Sequence, residues 1–474
     1  MIKRLSAICG VLILGLQLVC AQKVWTLEEC ISRAVEMNIQ MQNLNNAVAG
    51  SMIDIKQAKN SQFPSLSVST NLGLNFGRTI DPTRNEFITQ TFLSNGLSVN
   101  SGVVLFNGFR IRNTIQQTYL NSSAIQKDKE QLERDLALNV ATAYLNILFA
   151  RENLKVVRLQ MDQTQQQRQL LERLIAAGTR APNDIYDLES QLAQNEQNVV
   201  IAQNNLESAL LLLRQLIRLD PSMPLDIEAP PITIDAAAYA LVNYDELFSS
   251  AKLFQKNLQA AELRIRAAEL SRKIAAAGHF PTIGTGFNIA SNYSNRFQQI
   301  AGFEETVINQ DILFQGQEVT IGFKQNIPYF EPAPYTRQIR DNMFYGVGIS
   351  LNMPIYNNYA VRAAKQRAAL GVLNAKNNME TQMDNLRTSV LQALNESRAS
   401  RSRYDAAIKN FTAQKNLYEN TSKRFEAGSS NSFELARVKS LYEAADLSVL
   451  TAKYDYFFRL KILDFYLGRP IQLN

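Results

Sequence analysis

The chain has 474 residues, of which 46% are hydrophobic and 19% are charged, and its formal net charge is +6. A charge this small on a chain this long lacks the concentrated basic patch that nucleic-acid binding requires, so we expect no nucleic-acid partner. Two of the three cysteines, Cys9 and Cys20, precede the predicted mature chain, which leaves Cys30. A single cysteine excludes an intrachain disulfide and a thiolate metal cluster.

Residues 1–21 are typical of a signal peptide for export. Two basic residues are followed by a short apolar run at 5–19, and Val19-Cys20-Ala21 offers small residues for cleavage. Lipidation of Cys20 is the alternative, although the residues before it match a lipobox poorly. No other run approaches the roughly 18 apolar residues of a membrane-spanning helix. The sequence therefore predicts an exported chain.

The first half of the mature chain, residues 22–220, predicts an entry helix, two strands and a long helical hairpin. The strands are expected at about 64–77 and 93–106, where apolar and small polar residues alternate. The hairpin covers residues 108–220. Its first arm, residues 109–177, holds 69 positions without Gly or Pro. Such a helix would be roughly 100 Å long at about 1.5 Å per residue.

The second half, residues 241–474, repeats this order after a Pro-rich linker at 221–240. Phe63-Pro64 and Phe280-Pro281 lie 217 positions apart, and the hairpin-turn glycines Gly178 and Gly428 lie 250 apart. The second pair of strands is predicted at about 281–294 and 343–355, and the second hairpin at 357–468. A period of about half the chain indicates a duplication rather than a solenoid.

Each predicted strand is about ten residues long, with apolar residues on one face and Ser, Asn or Gly on the other. This pattern is typical of an outer-membrane barrel, but a half-buried soluble sheet gives the same alternation. The export signal, the small polar face and the long polar helices favour the membrane. Four strands cannot close a barrel, and lipid does not tolerate open sheet edges. Several chains must then share one barrel, and a trimer with twelve strands is the smallest arrangement with a water-filled bore.

The segment between the third and fourth strands, residues 294–342, is about fifty residues long and contains Pro328, Pro332 and Pro334. Long extracellular loops are usual in outer-membrane barrels. One interpretation folds this segment over the barrel mouth. The other treats it as a partly ordered surface loop.

Five features together resemble the TolC-type trimeric outer-membrane efflux proteins. They are the opening TLEECISRAVEMN, the paired Phe-Pro strand entries, the corners LFNGFRIRN and IYNNYAVRA, and the hairpin tips at Ala177-Gly178 and Ala427-Gly428. The resemblance covers essentially the whole mature chain. It implies an α+β membrane protein of duplicated helix–strand–strand–long helix–helix units. Four transmembrane strands per chain would form a shared twelve-stranded trimeric barrel, continued by a periplasmic α-helical barrel.

The function implied by the resemblance is a passive outer-membrane channel-tunnel that extends into the periplasm. A homotrimer in outer-membrane lipid would dock with a periplasmic adaptor and an inner-membrane pump. It would serve tripartite efflux or type I secretion and export small molecules or polypeptides. The alternative is a soluble periplasmic coiled-coil scaffold or adaptor. That alternative needs a sustained apolar seam, and the Gln-rich stretch at 160–170 interrupts the seam.

The resemblance also identifies candidate residues for a periplasmic constriction. In the family, carboxylates six and nine residues after the second tip glycine narrow and charge the entrance. These positions hold Glu434 and Arg437, and the first-half equivalents are Asp184 and Asp187. Three Glu434 carboxylates would make a cation-selecting ring, which Arg437 one helical turn away could neutralise. Alternatively, Asp184 and Glu434 simply favour the N-terminal turns of their helices.

The closed state of the family also uses a Tyr and an Arg beside the second tip glycine. Phe425 and Ser430 occupy these positions, so the lock is expected to be missing, although Arg180 of the other hairpin could substitute. The two tips are the expected adaptor-docking points: Gly178, Thr179, Arg180, Gly428, Ser429 and Ser430.

Nothing in the sequence indicates an enzyme, a cofactor or a metal site. His279 is the only histidine, and no acidic cluster surrounds it in the sequence. Gly284-Thr-Gly286 and Gly346-Val-Gly348 lie in predicted strands without the spacing of a phosphate-binding loop. Energy for transport is therefore expected to come from a partner.

Overall fold

The computed structural model describes residues 24–80, 85–89, 91–230 and 242–470. The predicted signal peptide and residues 231–240 of the predicted linker lie outside this set. The chain divides into two compact units. The helical unit comprises the described parts of Met1–Met52, Leu120–Arg266 and Leu373–Asn474. The sheet unit comprises those of Ile53–Tyr119 and Ala267–Val372.

The described ranges contain both long hairpins and both strand pairs. Their α-helices are α1 (Leu27–Met37), α2 (Ile39–Asn60), α3 (Arg110–Ala176), α4 (Asp184–Leu216), α5 (Tyr244–Phe254), α6 (Lys256–Ala276), α7 (Tyr335–Asp341), α8 (Ala360–Glu426) and α9 (Ser432–Leu467). Their strands are β1 (Val24–Trp25), β2 (Ser65–Asn75), β3 (Arg78–Ile80), β4 (Phe87–Thr89), β5 (Phe92–Phe106), β6 (Asp226–Ile227), β7 (Thr282–Ser294), β8 (Gln298–Phe314), β9 (Gln317–Pro332) and β10 (Phe344–Asn352).

The four strands predicted by alternation, β2, β5, β7 and β10, form one antiparallel sheet in the order β10-β7-β5-β2. One face, called the polar face, carries small and polar residues in register: Ser65, Gly102, Gly286 and Gly348 in one row, and Ser67, Asn100, Asn288 and Gly346 in the next. The Ser69 and Ser98 hydroxyls on this face are 2.7 Å apart. The other face presents exposed aliphatic side chains, among them Val347 at 79% and Leu66 at 74% exposure.

The two corners that lead from the sheet into the long helices share an unusual backbone. Gly108 and Phe109 before α3 have φ of 65° and 63°, and Asn358 and Tyr359 before α8 have φ of 49° and 65°. These pairs are 250 positions apart, so the duplication preserved the backbone conformation as well as the sequence pattern. A Cβ on Gly108 would lie 2.8 Å from the Cβ of Phe280. Close packing therefore requires glycine at the first corner.

Each predicted single entry helix is in fact two helices. The chain is extended at Asn38, between α1 and α2, and at Gln255, between α5 and α6. The two breaks are 217 positions apart, like the Phe-Pro corners. Asn38 stabilises the restart because its side-chain oxygen accepts a hydrogen bond from Met41 N at 3.1 Å. The prediction of continuous helices was wrong because neither break carries a Gly or a Pro.

The core of the helical unit gathers around α3. Its largest fully buried side chain is Tyr144, whose hydroxyl donates to the carbonyl oxygens of Glu228 at 2.6 Å and Trp25 at 3.1 Å. Burial raises the pKa of this hydroxyl far above its ordinary value. Strand β6, from the described part of the predicted linker, pairs in parallel with β1. None of the helices in the described residues is both long and apolar enough to cross a membrane.

The segment predicted as either a mouth-covering or an irregular loop is a long hairpin in the sheet unit. Strands β8 and β9 have 17 and 16 residues and form a separate two-stranded sheet. Helix α7 follows and packs on β7, where the Tyr293 and Tyr335 rings are 5.0 Å apart. The interpretation of an irregular loop was therefore wrong.

We expect the substitution Gly108→Ala to destabilise the protein by about 1–3 kcal/mol, because a side chain at positive φ is strained and has no space. The matched control is Gly371→Ala inside α8, where a new Cβ meets nothing within 4 Å. That control should be stabilising by about 0.5–1 kcal/mol, since alanine is the better helix former. Denaturant unfolding of both variants measures the difference, and equal effects would contradict the argument.

Candidate functional site

The candidate site lies at the tips of the two hairpins in the helical unit, where both turns have the same geometry. Gly178 and Gly428 have φ of 72° and 74° and end α3 and α8. Thr179 N donates to Leu174 O at 3.0 Å, and Ser429 N donates to Arg424 O at 2.8 Å. The Thr179 and Ser429 hydroxyls donate to the same two carbonyls at 2.8 Å and 3.0 Å. These bonds satisfy the last carbonyls of each helix and fix both turns.

Arg180 connects the two tips. Its Nη2 donates a 2.8 Å hydrogen bond to the carbonyl oxygen of Phe425. Its guanidinium also lies 4.1 Å from the centroid of the Phe425 ring, within the range of a cation–π interaction. Arg180, the predicted substitute for the lock of the family, thus contacts Phe425, which occupies the position of the tyrosine in that lock.

Glu434 lies in the first turn of α9, which Asn431 caps by accepting from Glu434 N at 2.7 Å. Its carboxylate accepts from the Ser430 hydroxyl at 2.8 Å and lies 3.4 Å from Arg424 Nη1. The sequence had suggested Arg437 as the neutralising cation. The structure instead places Arg424, from the preceding helix, against the carboxylate. A single protomer thus already partly neutralises Glu434.

Asp184 and Asp187 lie in the first turn of α4. The N-cap residue of this helix, Asn183, makes no side-chain hydrogen bond to the helix. The two carboxylates therefore provide the negative charge that stabilises a helix N-terminus. For Asp184, this placement agrees with the alternative interpretation, in which the acidic residue favours the N-terminal turn of its helix.

A cavity of about 530 Å³ lies between the hairpins, behind the tips. Its walls are mainly apolar: Leu170, Leu171, Leu174, Leu188, Phe425 and Leu435. Thr179, Arg180 and Gly428 of the predicted docking tips also line it. The four constriction candidates do not. The structure therefore groups part of the docking set around one cavity and leaves Glu434, Arg437, Asp184 and Asp187 outside it.

At one end of this cavity lies a buried polar layer that sequence reasoning missed. The Lys439 ammonium, on α9, donates to Thr164 Oγ1 at 2.9 Å and to Gln167 Oε1 at 2.8 Å, both on α3. Asn195, on α4, donates to the same Thr164 hydroxyl at 2.8 Å. Gln167 in turn donates to the Tyr418 hydroxyl, on α8, at 2.9 Å. All four helices of the two hairpins meet in this layer.

The layer also contains an ion pair with little access to water. Lys439 Nζ lies 3.7 Å from Glu443 Oε1, and the two side chains are only 3% and 8% exposed. Burial lowers the pKa of the Lys439 ammonium, and the Glu443 carboxylate opposes that change. Burial likewise raises the pKa of the Glu443 carboxyl, and Lys439 opposes it. The Lys439 ammonium is therefore stabilised by Glu443 and by its hydrogen bonds to Thr164 and Gln167, and the Glu443 carboxylate is stabilised by the charge of Lys439.

The Gln-rich stretch at 160–170 was the available signal for this layer. It had counted only as an interruption of an apolar seam, yet Thr164 and Gln167 provide the acceptors for Lys439. The other half of the pattern was Lys439, on another helix, with Glu443 four residues later on the same face. Pairing the two requires the alignment of hairpins far apart in sequence.

Comparison with known proteins was made on both sequence and fold. A family model described as outer membrane efflux protein matches residues 30–217 and 247–469. The outer membrane protein TolC of Vibrio cholerae is 22% identical over 422 residues, 84% of this chain and 86% of that protein. The pyoverdine export outer membrane protein OpmQ of Pseudomonas aeruginosa is 22% identical over 381 residues, 78% of this chain and 68% of that protein.

The solved structure of the outer membrane protein VceC of Vibrio cholerae is similar with a TM-score of 0.74 at 13% identity. The match covers 94% of this chain and 97% of that one. Similarity of this kind confirms the predicted fold class: duplicated α+β units, four transmembrane strands per chain in a shared trimeric barrel, and a periplasmic helical barrel.

We expect Lys439→Met to destabilise the protein by about 3–5 kcal/mol, because it leaves the buried Glu443 carboxylate without its counter-charge. The double variant Lys439→Met/Glu443→Gln should recover much of this loss, since no buried charge remains. The control is Lys415→Met, which removes an exposed pair with Glu419 and should change stability by at most about 1 kcal/mol. Denaturant unfolding compares them, and equal losses in the single and double variants would assign the effect to packing instead.

Proposed function

Because the chain belongs to the outer membrane efflux protein family, we propose that it is a passive exit duct for a tripartite efflux or type I secretion system. It is an outer-membrane protein that extends into the periplasm. In the proposed assembly, a homotrimer in outer-membrane lipid forms the duct. A periplasmic adaptor connects it to an inner-membrane pump, which supplies the energy. The alternative of a soluble periplasmic scaffold is wrong, because the relatives are outer-membrane proteins.

The two faces of the four-stranded sheet carry this proposal. Exposed aliphatic residues such as Val347, Ile349 and Leu66 cover one face, at 69–79% exposure together with Leu351. In water such a face would be unfavourable, whereas in a bilayer it meets lipid. The polar face bears mostly small side chains, including Ser65, Gly102, Gly286 and Gly348 in one row. Small polar side chains facing inward leave room for a water-filled lumen.

The cavity between the hairpin tips supports adaptor docking at this end of the chain. Its apolar walls offer a place for an apolar side chain of a helical partner, and Thr179 and Arg180 provide polar contacts at its rim. Ser429 and Ser430 lie in the second turn beside Gly428 and complete the proposed docking surface. The cargo class follows from a relative: OpmQ is named for pyoverdine export, which supports small molecules as the exported class.

We propose two roles at the entrance. Glu434 contributes one carboxylate per chain to a ring that favours cations, and its contact with Arg424 weakens that preference. Asp184, Asp187 and Arg437 set the charge of the adjoining turns. Arg180 holds the tips of the two hairpins together through Phe425 and so restrains the entrance in a closed state.

The first test is single-channel conductance of the detergent-purified protein in a planar bilayer under a salt gradient. We expect discrete steps with cation preference, and the preference should fall several-fold in Glu434→Ala. The control is Glu419→Ala, because Glu419 is an exposed carboxylate on the body of α8, paired with Lys415. Steps that the Glu434 variant does not change would keep the channel and discard the ring. Absence of steps from an intact trimer would contradict the duct itself.

The second test concerns Arg180. Charge reversal, Arg180→Glu, removes both contacts with Phe425 and should raise the single-channel conductance while the trimer stays intact. It should also weaken adaptor-dependent drug resistance in cells. Arg173→Glu is the control, because Arg173 is exposed on the last turn of α3, just before the tip, and bonds only to Gln169 O among the described residues. Unchanged resistance would remove Arg180 from docking, and unchanged conductance would remove it from the lock.

A further inference from the structure

The hairpin of β8 and β9, here called the ribbon, is the longest feature of the sheet unit outside the four-stranded sheet. Its strands are joined by a two-residue turn in which Gln315 and Gly316 have φ of 54° and 86°. Positive φ at both positions is the geometry of the tight hairpin turn. Within the described residues, β8 and β9 pair only with each other. At about 3.3 Å per residue, the ribbon extends roughly 50 Å.

The half of the ribbon nearest its turn has two chemically different faces. One face holds a group of aliphatic and aromatic side chains, called the apolar patch: Ile308, Ile312, Val319, Ile321 and Phe323. Register pairs Ile308 with Phe323 and Ile312 with Val319, so the patch is continuous across both strands. Phe323 is 50% exposed and Val319 is 41% exposed. Nothing in the described chain covers the patch.

The opposite face of the same half combines charged and hydrogen-bonded groups with two exposed aliphatic residues, Val307 and Leu313. Lys324 Nζ lies 3.0 Å from Glu305 Oε1, and the Thr320 hydroxyl donates to the Asp311 carboxylate. Glu318 is on this face as well, opposite Leu313. Groups of this kind remain in water, because removing them from it carries a desolvation penalty. The two faces of this half therefore differ in charge: the face with the apolar patch carries no charged side chain, so it is the face suited to an apolar partner.

The base of the ribbon is fixed to the sheet. Gln338, on α7, is 1% exposed. Its amide oxygen accepts from Ser294 N at 3.0 Å, and its amide nitrogen donates to Ser294 O at 3.0 Å and to Ala333 O at 2.8 Å. These three bonds join the end of β7 to the residue that follows β9. The direction in which the ribbon leaves the sheet is thus set by buried hydrogen bonds.

Lipid is a poor match for the apolar patch. The edge strands β2 and β10 have 11 and 9 residues, which is already the length that a tilted strand needs to cross a bilayer. The ribbon is additional to these strands. Exposed apolar residues also occur in the half nearest the base, among them Phe303 and Phe330. Gln310 and Gln325 nevertheless interrupt the face that carries the patch, whereas a lipid-facing band would be apolar throughout.

We propose that the three ribbons of the trimer pack against one another through their apolar patches on the symmetry axis, and that this keeps the outer mouth of the duct closed between the brief openings that conductance steps would record. The inference rests on the trimer of the proposed function. The shared barrel places three identical ribbons around one axis, each rooted in the same way by Gln338. The contact would continue the interface that the two sheet edges already require.

The number of strands determines what such a contact encloses. Three two-stranded ribbons bring six strands around the axis, and even about eight strands leave an interior that side chains fill. Aliphatic and aromatic patches from three copies would therefore form a dry core without a bore. The charged faces, with Glu305 and Lys324, would point outward into water.

The test is cysteine cross-linking in intact trimers, in a Cys30→Ala background. Phe323→Cys and Val319→Cys lie in the patch, and their matched controls Lys324→Cys and Thr320→Cys lie one residue on, on the charged face. A short bismaleimide or copper-catalysed oxidation is applied to the trimer in outer-membrane vesicles. We expect patch cysteines to link pairs of chains several-fold more efficiently than the controls. Trimer integrity is measured separately by light scattering in detergent.

Efficient cross-linking at positions 319 and 323, with little at positions 320 and 324, would support packed ribbons. Three results would overturn the proposal while the trimer and its conductance remain. These are no cross-link at any position, equal cross-linking on both faces, and rapid labelling of the patch cysteines by a membrane-impermeant maleimide. The last would show a patch that is open to water rather than packed against other ribbons. Loss of the trimer in all variants and in the background protein would contradict the proposed function instead.

Discussion

Inside a bilayer, every backbone N–H and C=O group must find a partner within the protein, because the hydrocarbon offers none. The four-stranded sheet satisfies its three internal strand pairs, but β2 and β10 each keep one open edge. Neither edge strand carries a proline or a bulge that would prevent pairing. Pairing β2 of one chain with β10 of the next satisfies both edges only when the chains close into a ring. The requirement for a closed ring of chains thus arises from backbone hydrogen bonding rather than from any particular side chain.

Duplication supplied both halves with one backbone design, and the side chains then diverged. The left-handed corners and the tip turns recur 250 positions apart with nearly equal torsion angles. At the corners, Gly108 is needed because Phe280 approaches it, whereas Asn358 tolerates the same torsion. At the tips, Arg180 of the first hairpin reaches Phe425 of the second, through both a hydrogen bond and a ring contact. The halves have become complementary partners at the tips instead of remaining two copies of one element.

Much of the fold could be predicted from the sequence because its strongest signals are local. Strand alternation and long stretches without Gly or Pro depend on a few adjacent residues, and they placed β2, β5, β7 and β10 as well as the hairpins. The breaks at Asn38 and Gln255 carry no such signal. The ribbon was missed because polar residues such as Gln310 and Gln325 interrupt its alternation and a register shift follows Ile300. In the candidate site, Arg180 was identified through the resemblance, whereas the partners of Lys439 depend on tertiary alignment that no local pattern reveals.

The polar layer around Lys439 has a mechanical consequence. Helices that meet only through leucines can slide along one another by a turn and exchange one apolar contact for the next. A slide of α9 against α3 would instead move an ammonium group away from Thr164 and Gln167 into apolar surroundings. Tyr418 and Asn195 tie α8 and α4 to the same level. The layer therefore holds the four helices in axial register, so that they can tilt or rotate together but cannot slide past one another. Widening of the space between the hairpins beyond this layer therefore requires all four helices to bend together.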